Sequence, residues 1–596
     1  MTTTTWISSL TDPVLKADFT AFGGSITEAE MSQALADLAS ELKSKNATLS
    51  SSQLADLKLI AANIAAMGAS SYIQFITNAL VNGNAANTYW TGGAASATSL
   101  GNLAAGSTVT QLNDLIGKWF LGTDLPSSTV SVGSAQYIVS YSTPANFQLY
   151  GASGPTASDI NQRALGDCFL MGSLAEVAIQ DPSAITSMIT NNGNGAYGVR
   201  FYYHGVARYV TVDSQLANGN KQQAQIVNYA PNNYWASLVE AAYAELQAQG
   251  VVTGNTPNYG NAFSTIANGG APEYALEEIT GATAMTDFSA GPSSWKSVVY
   301  NASLSVTSST SKLSAASVLS TLAADLLVGD DLVLTSRTNA TDSSGAITLA
   351  ANHAMSIYGY DASTGLLDIR NPWGVEAGQT WDTTFETSLD TLFSAGDTIT
   401  ADNVGTATSV AGASVVAASA LQTMAQVKSF SVTDSVAQVD SGLSGLIADN
   451  KLASVTINGT TGADAVTLTG LKASATINLD GDADTAAIAG FASTGSGAGA
   501  ATSLGLGSGY DTIALGTGSA TIDFALGSAS GVEAVAAFSS AYDLLSVTLN
   551  GFSLEQTLVN GGDWLSSSAD LTHGVFLAGV SSLQKTTVSG GVVTVA

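Results

Sequence analysis

A single cysteine, Cys168, limits how this chain can be held together. One thiol cannot form an internal disulfide, so every folded part must be stabilised by buried apolar side chains. Hydrophobic residues make up 45% of the 596 residues, which is enough for several cores. A chain of this length is expected to contain about three or four domains. Any chemistry that needs a thiol is confined to one position.

The charge of the chain excludes some classes of partner. The sequence contains 46 acidic and 17 basic residues, for a formal net charge of -29. Because nucleic acids and anionic membrane surfaces are bound through lysine and arginine, we expect neither as a partner. No apolar run reaches the roughly 18 residues of a transmembrane helix, so we expect no membrane span. A chain this acidic is instead suited to bind divalent cations.

Residues 1–135 have the pattern of a helical N-terminal domain. Thr27 and Glu30 form a T-x-x-E capping pattern, and apolar residues follow at helical spacing over residues 31–42. A second apolar series covers residues 54–67. We therefore expect a small α-helical bundle. A plain structural role is the simplest interpretation, and a regulatory or docking role is the alternative.

Residues 410–596 differ in composition from the rest of the chain. Short alternating runs are separated by Gly, Asp and Ser at about ten-residue spacing, which predicts an all-β domain, either a β-sandwich or a stacked parallel β-roll. Segments 462–468, 481–488 and 507–515 resemble degenerate copies of the calcium-binding repeat of RTX proteins. An ordinary β-domain without calcium is the alternative.

Both ends of the chain bear on its expected destination. The N-terminus, MTTTTWISSLTDPVLKADF, has neither a basic start nor an apolar run, so we expect no Sec-type signal peptide. The C-terminal sequence GVFLAGVSSLQKTTVSGGVVTVA resembles the uncleaved signal of type I secretion substrates. These features predict a secreted, extracellular bacterial protein that has the type I secretion machinery as a partner.

The surroundings of Cys168 suggest a reactive thiol. Gly166 and Asp167 can form a turn and a cap, and the run from Phe169 has helical character. The sulfur is therefore expected at a helix N-terminus, where the helix dipole and free N–H groups favour the thiolate. The alternative is that Cys168 is only a small buried hydrophobic residue.

A thiolate needs a base, and the chain has three histidines: His204, His353 and His573. His353 opens a strand-like run, and Asn371 follows it in the sequence Arg-Asn-Pro-Trp-Gly. The Asn371 amide can bond one imidazole nitrogen while the other faces the sulfur, and Trp373 can shield that bond from water. The alternative for this motif is a turn that holds a core tryptophan.

Five motifs in a fixed order resemble the calpain family of papain-like cysteine peptidases. They are Gly-Asp-Cys before a helix, Trp-Ala-Ser-Leu-Val-Glu-Ala-Ala-Tyr-Ala, Gly-Gly followed by Ala-Leu-Glu-Glu-Ile-Thr-Gly, Asn-His-Ala-Met-Ser-Ile, and Arg-Asn-Pro-Trp-Gly. The resemblance implies an α+β papain-like core over residues 141–400. The chain is thus expected to be multidomain, with an N-terminal α-helical bundle, this core and a C-terminal all-β domain. It departs from the family at Phe169, usually Trp, and at Asn352, usually Gly.

The resemblance also implies roles for individual residues. Cys168 matches the nucleophile, His353 the general base and acid, Asn371 the residue that orients the histidine, and Gln162 the oxyanion-hole glutamine. The implied activity is that of a cysteine endopeptidase that hydrolyses protein substrates through a thioester acyl-enzyme. Two alternatives remain: an inactive surface or matrix protein that uses the fold as a scaffold, and acyl transfer to an amine.

Calcium is the cofactor that the resemblance implies. Asp159 and Glu240 match two carboxylate ligands of a calcium site in the core of calpains, and such oxygen ligands suit Ca²⁺. The alternatives are a cap at Asp159 and a solvated helix face at Glu240.

Overall fold

The computed structural model describes most of the chain. The described residues are 6–217, 233–251, 260–446, 450–460, 464–469, 473–478, 485–489, 501–505, 512–515, 519–525, 532–536, 544–548, 554–559, 561–567, 570–580, 585–588 and 592–595. The chain divides into two compact units. The first consists of Met1–Leu313, Asp330–Tyr360 and Leu366–Val404, and the second of Ser314–Gly329, Asp361–Gly365 and Gly405–Ala596. Within the described parts of the chain, no helix has the length and apolarity needed to cross a membrane.

Helices dominate the N-terminal part of the first unit. They are α1 (Pro13–Ala21), α2 (Glu28–Ser44), α3 (Ser51–Asn63), α4 (Ser71–Val81) and α5 (Val109–Ile116), with a ribbon of β1 (Tyr89–Trp90) and β2 (Thr98–Ser99). At α2, Thr27 accepts from the backbone N–H of Glu30 while the Glu30 carboxylate accepts from that of Thr27, so the capping box is formed. The apolar faces of these helices meet in a shared core that includes Met31, Leu35 and Ile60.

A mainly helical lobe follows in the first unit. Its elements are β3 (Thr129–Val132), β4 (Ala135–Ile138), β5 (Tyr141–Ser142), α6 (Cys168–Gln180), α7 (Pro182–Met188), β6 (Ile189–Asn191), β7 (Ala196–Tyr203), β8 (Val206–Asp213), β9 (Leu216–Ala217), α8 (Trp235–Leu246) and α9 (Pro272–Thr280). Helices α6 and α8 carry apolar residues on all faces and are buried along almost their whole length. They form the centre of this lobe.

The N-terminal helices pack against strands β7 and β8. Tyr72 Oη lies 2.9 Å from Thr211 Oγ1, and Ser71 Oγ lies 2.7 Å from Tyr209 Oη. Gly198 lies beside the Tyr72 ring, where an added Cβ would come within 2.5 Å of a ring atom. Because these contacts are close and partly polar, the helices and the core form a single compact unit.

An eight-stranded sheet forms the other lobe of the core. Along the chain come β10 (Ala284–Ala290), β11 (Trp295–Asn301), β12 (Val306–Leu313), α10 (Ala315–Val328), which belongs to the second unit, β13 (Leu332–Ser336), β14 (His353–Asp361), β15 (Leu366–Arg370), β16 (Thr384–Thr387), α11 (Leu389–Ala395) and β17 (Thr398–Ala401). The strand order is β12-β11-β10-β17-β13-β14-β15-β16. The late strand β17 therefore pairs antiparallel with both β10 and β13.

The second unit contains α10 and two sheets, of nine and seven strands. Its other elements are β18 (Ser409–Ala413), α12 (Val415–Leu421), β19 (Ser429–Ser435), α13 (Val436–Leu446), β20 (Leu452–Asn458), β21 (Ala465–Thr469), β22 (Ser474–Asn478), β23 (Thr485–Ala489), β24 (Ala501–Gly505), β25 (Thr512–Leu515), β26 (Ser519–Ala525), β27 (Val532–Ala536), β28 (Leu544–Thr548), β29 (Leu554–Val559), β30 (Gly562–Ser567), β31 (Asp570–Ala578), β32 (Lys585–Val588) and β33 (Val592–Val595). From β20 to β28, successive strands alternate between the two sheets, and neighbours within each sheet run parallel.

This alternation is the arrangement of a stacked parallel roll rather than a sandwich of antiparallel sheets. The prediction of an all-β C-terminal domain was too narrow, because α12 and α13 lie between its first strands. The turn residues of the three RTX-like segments lie outside the described residues apart from Asp464, which accepts a hydrogen bond of 2.5 Å from the backbone N–H of Thr460.

Candidate active site

Cys168 is the first residue of α6; it is partly exposed and packs against the core of its lobe. The helix lies close to β14. Gly172 faces Ala354, where an added Cβ would lie 3.3 Å from the carbonyl oxygen, and Ser356 Oγ donates a 2.9 Å hydrogen bond to the Gly172 carbonyl. The backbone of Ala354 also hydrogen-bonds the cysteine side chain. This packing holds Cys168 beside the start of β14.

The structure also brings His353, Asn371 and Trp373 together. His353 is the first residue of β14, and Asn371 directly follows β15. Both side chains are buried, and His353 Nε2 lies 2.9 Å from Asn371 Oδ1. The Trp373 ring lies against the imidazole, with 4.6 Å between the ring centroids. The indole therefore covers the pair on one side, as its position in the sequence predicted.

The hydrogen bonds of Asn371 define the tautomer of His353. Asn371 Oδ1 accepts a 3.0 Å hydrogen bond from the backbone N–H of Trp373, which identifies this amide atom as the oxygen. Because an oxygen can only accept, Nε2 of the neutral imidazole carries the hydrogen and donates it. Nδ1 is then the basic nitrogen, free to accept a proton.

Cys168 and His353 line one cleft. Its volume is about 750 Å³, and Gln162, Asn352 and Trp373 also line it. One wall continues over residues 267–273, and the other is the face of the sheet that carries Thr335, Asp287, Ser289, Thr398 and Thr400. The thiol and the imidazole are thus accessible to a substrate from the same side.

Burial determines the protonation of the two groups. It raises the pKa of the Cys168 thiol to about 11, although hydrogen bonds from the backbone of Ala354 and Phe169 act in the other direction. It lowers the pKa of His353 to about 4, opposed by the hydrogen bond to Asn371. Both groups are therefore neutral at neutral pH. The sequence had predicted a thiolate, whereas burial of the sulfur favours the neutral thiol.

Gln162 lies in the cleft, but its amide hydrogens are already in use. Nε2 donates to the Leu165 carbonyl at 2.7 Å and to Asp167 Oδ1 at 3.1 Å. Its Oε1 has no hydrogen-bond partner among the residues that the structure describes. To stabilise an oxyanion, Gln162 would have to release one of these two hydrogen bonds.

The two residues predicted to bind calcium have separate partners. Asp159 Oδ1 accepts from Asn233 Nδ2 at 2.6 Å, and Oδ2 accepts from Trp235 Nε1 at 2.8 Å. Glu240 is fully buried, so the alternative of a solvated helix face is wrong, and it hydrogen-bonds Asp167. In the described ranges, no three His, Cys, Asp or Glu side chains are placed to hold a metal. In this arrangement the pair does not fit a calcium site.

Sequence reasoning missed the hydrogen bond between Asp167 and Glu240. Asp167 precedes the cysteine and is fully buried; burial raises its pKa to about 7, while hydrogen bonds with Glu240 and Gln162 lower it. Two buried carboxyl groups in contact must share a proton to avoid repulsion. No local signal marks this pair, because Asp167 precedes α6 while Glu240 lies in α8, far away in the sequence.

The two departures from the family motif have structural consequences. Phe169 lies under Gly270, where an added Cβ would come within 2.6 Å of the phenyl ring. Asn352 has φ of 57°, a left-handed conformation that asparagine tolerates better than most residues. The remaining histidines are elsewhere: His204 is exposed in the turn between β7 and β8, and His573 lies in β31 of the second unit.

Comparison with known proteins agrees with this geometry. Residues 138–390 match the family model described as calpain family cysteine protease. This match supports the assignment of the core to the calpain family. The chain is 29% identical over 237 residues to "Calpain clp-4" of Caenorhabditis elegans, covering 39% of this chain and 29% of that protein. It is 25% identical over 244 residues to "Calpain-8" of Homo sapiens, covering 38% and 29%. It is 27% identical over 134 residues to "Calpain-2 catalytic subunit" of Gallus gallus, covering 21% and 19%.

The similarity to calpains is confined to the core of the chain. The comparisons support a cysteine peptidase function for the core. The chain spans less than a third of the length of these calpains, at 29%, 29% and 19%. The match includes Cys168 and His353, but it ends at residue 390 and so covers neither β17 nor the part of the second unit from Gly405 onward.

Proposed function

We propose that this protein is a cysteine endopeptidase in which Cys168 is the nucleophile, His353 the general base and acid, and Asn371 the residue that orients the imidazole. The observation that carries the proposal is the orientation of His353. Its Nε2 is hydrogen-bonded to Asn371, which leaves Nδ1 to accept the proton of the thiol. Cys168 and His353 line the same cleft. This combination of nucleophile, base and orienting amide is the one that acyl transfer by a thiol requires.

The reaction follows from the neutral state of the two groups. Sγ of Cys168 attacks the carbonyl carbon of the substrate while its proton moves to Nδ1 of His353. The C–N bond then breaks, the amine leaves with that proton, and a thioester remains. Water then attacks the thioester while giving a proton to His353, and the returned proton restores the thiol. Because burial favours both neutral forms, proton transfer is expected to accompany the attack rather than precede it.

The oxyanion of the tetrahedral intermediate needs hydrogen-bond donors. The backbone N–H of Cys168 at the start of α6 is one candidate, and the helix dipole adds to it. Gln162 is the second candidate, provided that substrate binding draws one amide hydrogen away from Leu165 or Asp167. Gln162→Glu, which keeps the size of the side chain but removes this donor, is expected to lower kcat more than it changes KM.

The decisive experiment compares the purified full chain with Cys168→Ala and His353→Ala in a casein cleavage assay. We expect cleavage by the wild type and loss of at least about 1,000-fold in each variant. His204→Asn is the matched control, since it removes an exposed histidine outside the cleft and asparagine tolerates the left-handed backbone found there. Cleavage that persists in Cys168→Ala would overturn the proposal.

Two alternatives give different results in the same preparation. An inactive scaffold would leave casein intact even though iodoacetamide labels Cys168, and mass spectrometry of the chain reports that label without ambiguity because the thiol is unique. Acyl transfer would yield amine adducts of the cleaved fragments when an amine is added. Hydrolysis yields free carboxylates only.

Calcium dependence is a separate proposal that rests on the resemblance to calpains and on the acidic composition. The carboxylates of Asp159 and Glu240 would have to leave their present partners before they could share an ion. Casein cleavage and the melting temperature are to be compared in excess calcium and in excess chelator. Equal activity and an equal melting temperature in calcium and in chelator would show that the enzyme does not depend on calcium.

Secretion is also a proposal, supported by the composition of residues 410–596 and by the resemblance of the C-terminal sequence to type I secretion signals. Removal of about the last sixty residues is expected to retain the protein in a bacterial cell that expresses a type I exporter. Export of the shortened chain at the wild-type level would contradict this.

A further inference from the structure

The cleft extends from Cys168 along one face of the eight-stranded sheet. Strand pairing places Ala354 opposite Thr335, Thr335 opposite Thr398, and Thr398 opposite Ser289. Directly opposed residues on antiparallel strands project to the same face. All four line the cleft on the wall that the sheet forms, and we call this wall the floor of the cleft. The row of hydroxyl groups leads away from Ala354, whose backbone hydrogen-bonds the cysteine.

The far end of this floor carries negative charge. Asp287 lies two residues before Ser289 on β10 and hence on the same face, where its Oδ1 accepts a 2.7 Å hydrogen bond from Thr400. Glu273, in the first turn of α9, lines the opposite wall. Burial, together with the smaller effect of the neighbouring Asp287 carboxylate, raises the pKa of Glu273 to about 7. The two acids therefore repel each other across the cleft.

The positive charges nearby do not neutralise this pair. Arg163 and Arg337 also line the cleft, but Arg163 NH1 lies 3.0 Å from Glu376, and the charge of Arg337 interacts with Asp397. Lys296 on β11 is exposed and lowers the pKa of Asp287 only weakly against the effect of burial. An added cation at the end of the floor would relieve the repulsion between Glu273 and Asp287.

The distance from the cysteine indicates the size of the group that fits. Neighbouring strands lie about 4.8 Å apart, so β10 is about 14 Å from β14 across the sheet. An extended peptide advances about 3.3 Å per residue, and three residues therefore cover about 10 Å. Only a long side chain near the cleaved bond can bridge the remainder, and the hydroxyl-lined floor suits a chain that ends in a hydrogen-bond donor.

We propose that Glu273 and Asp287 form a subsite that selects a lysine or arginine side chain within about three residues of the cleaved bond. The proposal rests on the peptidase function proposed above and names its substrate class: proteins with basic residues beside the cleavage site. One carboxylate on the floor and one on the opposite wall suit the ammonium or guanidinium group, because charge-assisted hydrogen bonds are stronger in a partly buried cleft.

The first test measures binding without turnover. Fluorescent peptides that carry lysine, norleucine or glutamate at one scanned position are titrated against Cys168→Ala. At one position we expect lysine to bind at least about tenfold more tightly than norleucine, and glutamate to bind most weakly. Glu273→Gln/Asp287→Asn is expected to abolish the difference between lysine and norleucine, whereas Lys296→Ala is expected to increase it.

The second test uses the active enzyme and the ratio of kcat/KM for the lysine and norleucine peptides. Glu386→Gln is the matched control, an exposed acid on the edge strand β16, and should keep the wild-type ratio. Equal binding of lysine and norleucine at every position, or an unchanged ratio in the double variant, overturns the subsite. If the wild type is inactive but Cys168→Ala still binds lysine peptides more tightly, the peptidase proposal is wrong and the cation-binding subsite is supported.

Discussion

His353 Nε2 and Asn371 Oδ1 are joined by a 2.9 Å hydrogen bond, although His353 begins β14 and Asn371 follows β15. Since Asn371 fixes the ring that must accept the thiol proton, Asn371→Ala is expected to lower kcat by about 100-fold with little change in KM. Asn371→Asp keeps an acceptor and should retain more activity. Steady-state kinetics with one peptide substrate distinguish the variants, and a fall confined to KM would contradict an orienting role.

The indole of Trp373 is the basis of a prediction about the imidazole. It covers His353 and helps to exclude water, and burial lowers the pKa of the histidine to about 4. In Trp373→Ala, water gains access to the charged form, so the pKa is expected to rise toward 6.5. NMR titration of the histidine ring protons measures the change, with the His353 signal assigned by its loss in His353→Ala. A pKa that stays near 4 would mean that other residues exclude the water.

Glu28 gives a prediction about stability that is independent of catalysis. It is buried, and burial raises its pKa from 4.5 to about 7 while a hydrogen bond from Asn194 lowers it. The folded state therefore binds the proton more tightly than the unfolded state. This stabilisation is complete below about pH 4.5 and is lost as the pH rises through 7, with a total of up to about 3 kcal/mol.

Glu28→Gln stays uncharged at every pH and retains similar packing. Relative to the wild type, its free energy of unfolding is thus expected to improve as the pH is raised from 5 to 8. Urea unfolding at several pH values in this range provides the measurement. A difference between the two proteins that does not depend on pH would show that Glu28 is not protonated in the folded state near neutrality.

The local parts of the site could be predicted from the sequence. A cysteine after Gly-Asp at a helix start, a histidine at a strand start and an asparagine before Pro-Trp-Gly are each defined by neighbours in the chain. The capping box of Thr27 and Glu30 is likewise local. Such features depend on backbone hydrogen bonds and turns within a few residues, which the sequence pattern records directly.

Features that depend on distant pairing could not be predicted. The contact between Asp167 and Glu240 requires the start of α6 to lie near α8, and the interaction of Glu273 with Asp287 requires the start of α9 and β10 to border the same cleft. The insertion of β17 between β10 and β13 brings Thr398 and Thr400 to the cleft floor. Alternating patterns show that strands exist, but they do not specify the order of strands in a sheet.

Gly122 tests the junction between the N-terminal helices and the core. It has φ of 67°, and an added Cβ would lie 2.2 Å from the backbone carbon of Val212. Because the obstacle is backbone, Gly122→Ala is expected to destabilise the first unit by about 3 kcal/mol or more. Gly23→Ala is the matched control, since Gly23 lacks a positive φ and has nothing within 4 Å of an added Cβ. Thermal unfolding of the two variants should differ by several degrees, and equal melting temperatures would contradict the close packing.

Lys118 allows a final prediction about buried charge. Its ammonium group pairs with Asp124, and both side chains are almost fully buried, with 7% and 1% of their surface exposed. Both charges also act on the nearby Glu245, whose pKa is raised by Asp124 and lowered by Lys118. Lys118→Met removes the cation and leaves Asp124 without its counter-charge, which is expected to cost about 3–5 kcal/mol of unfolding free energy. In Lys118→Met/Asp124→Asn no such charge remains, and asparagine can still accept the backbone hydrogen bonds from Thr91 and Gly92. The double variant should therefore be more stable than Lys118→Met alone in urea unfolding; additive losses would show that the two side chains act independently.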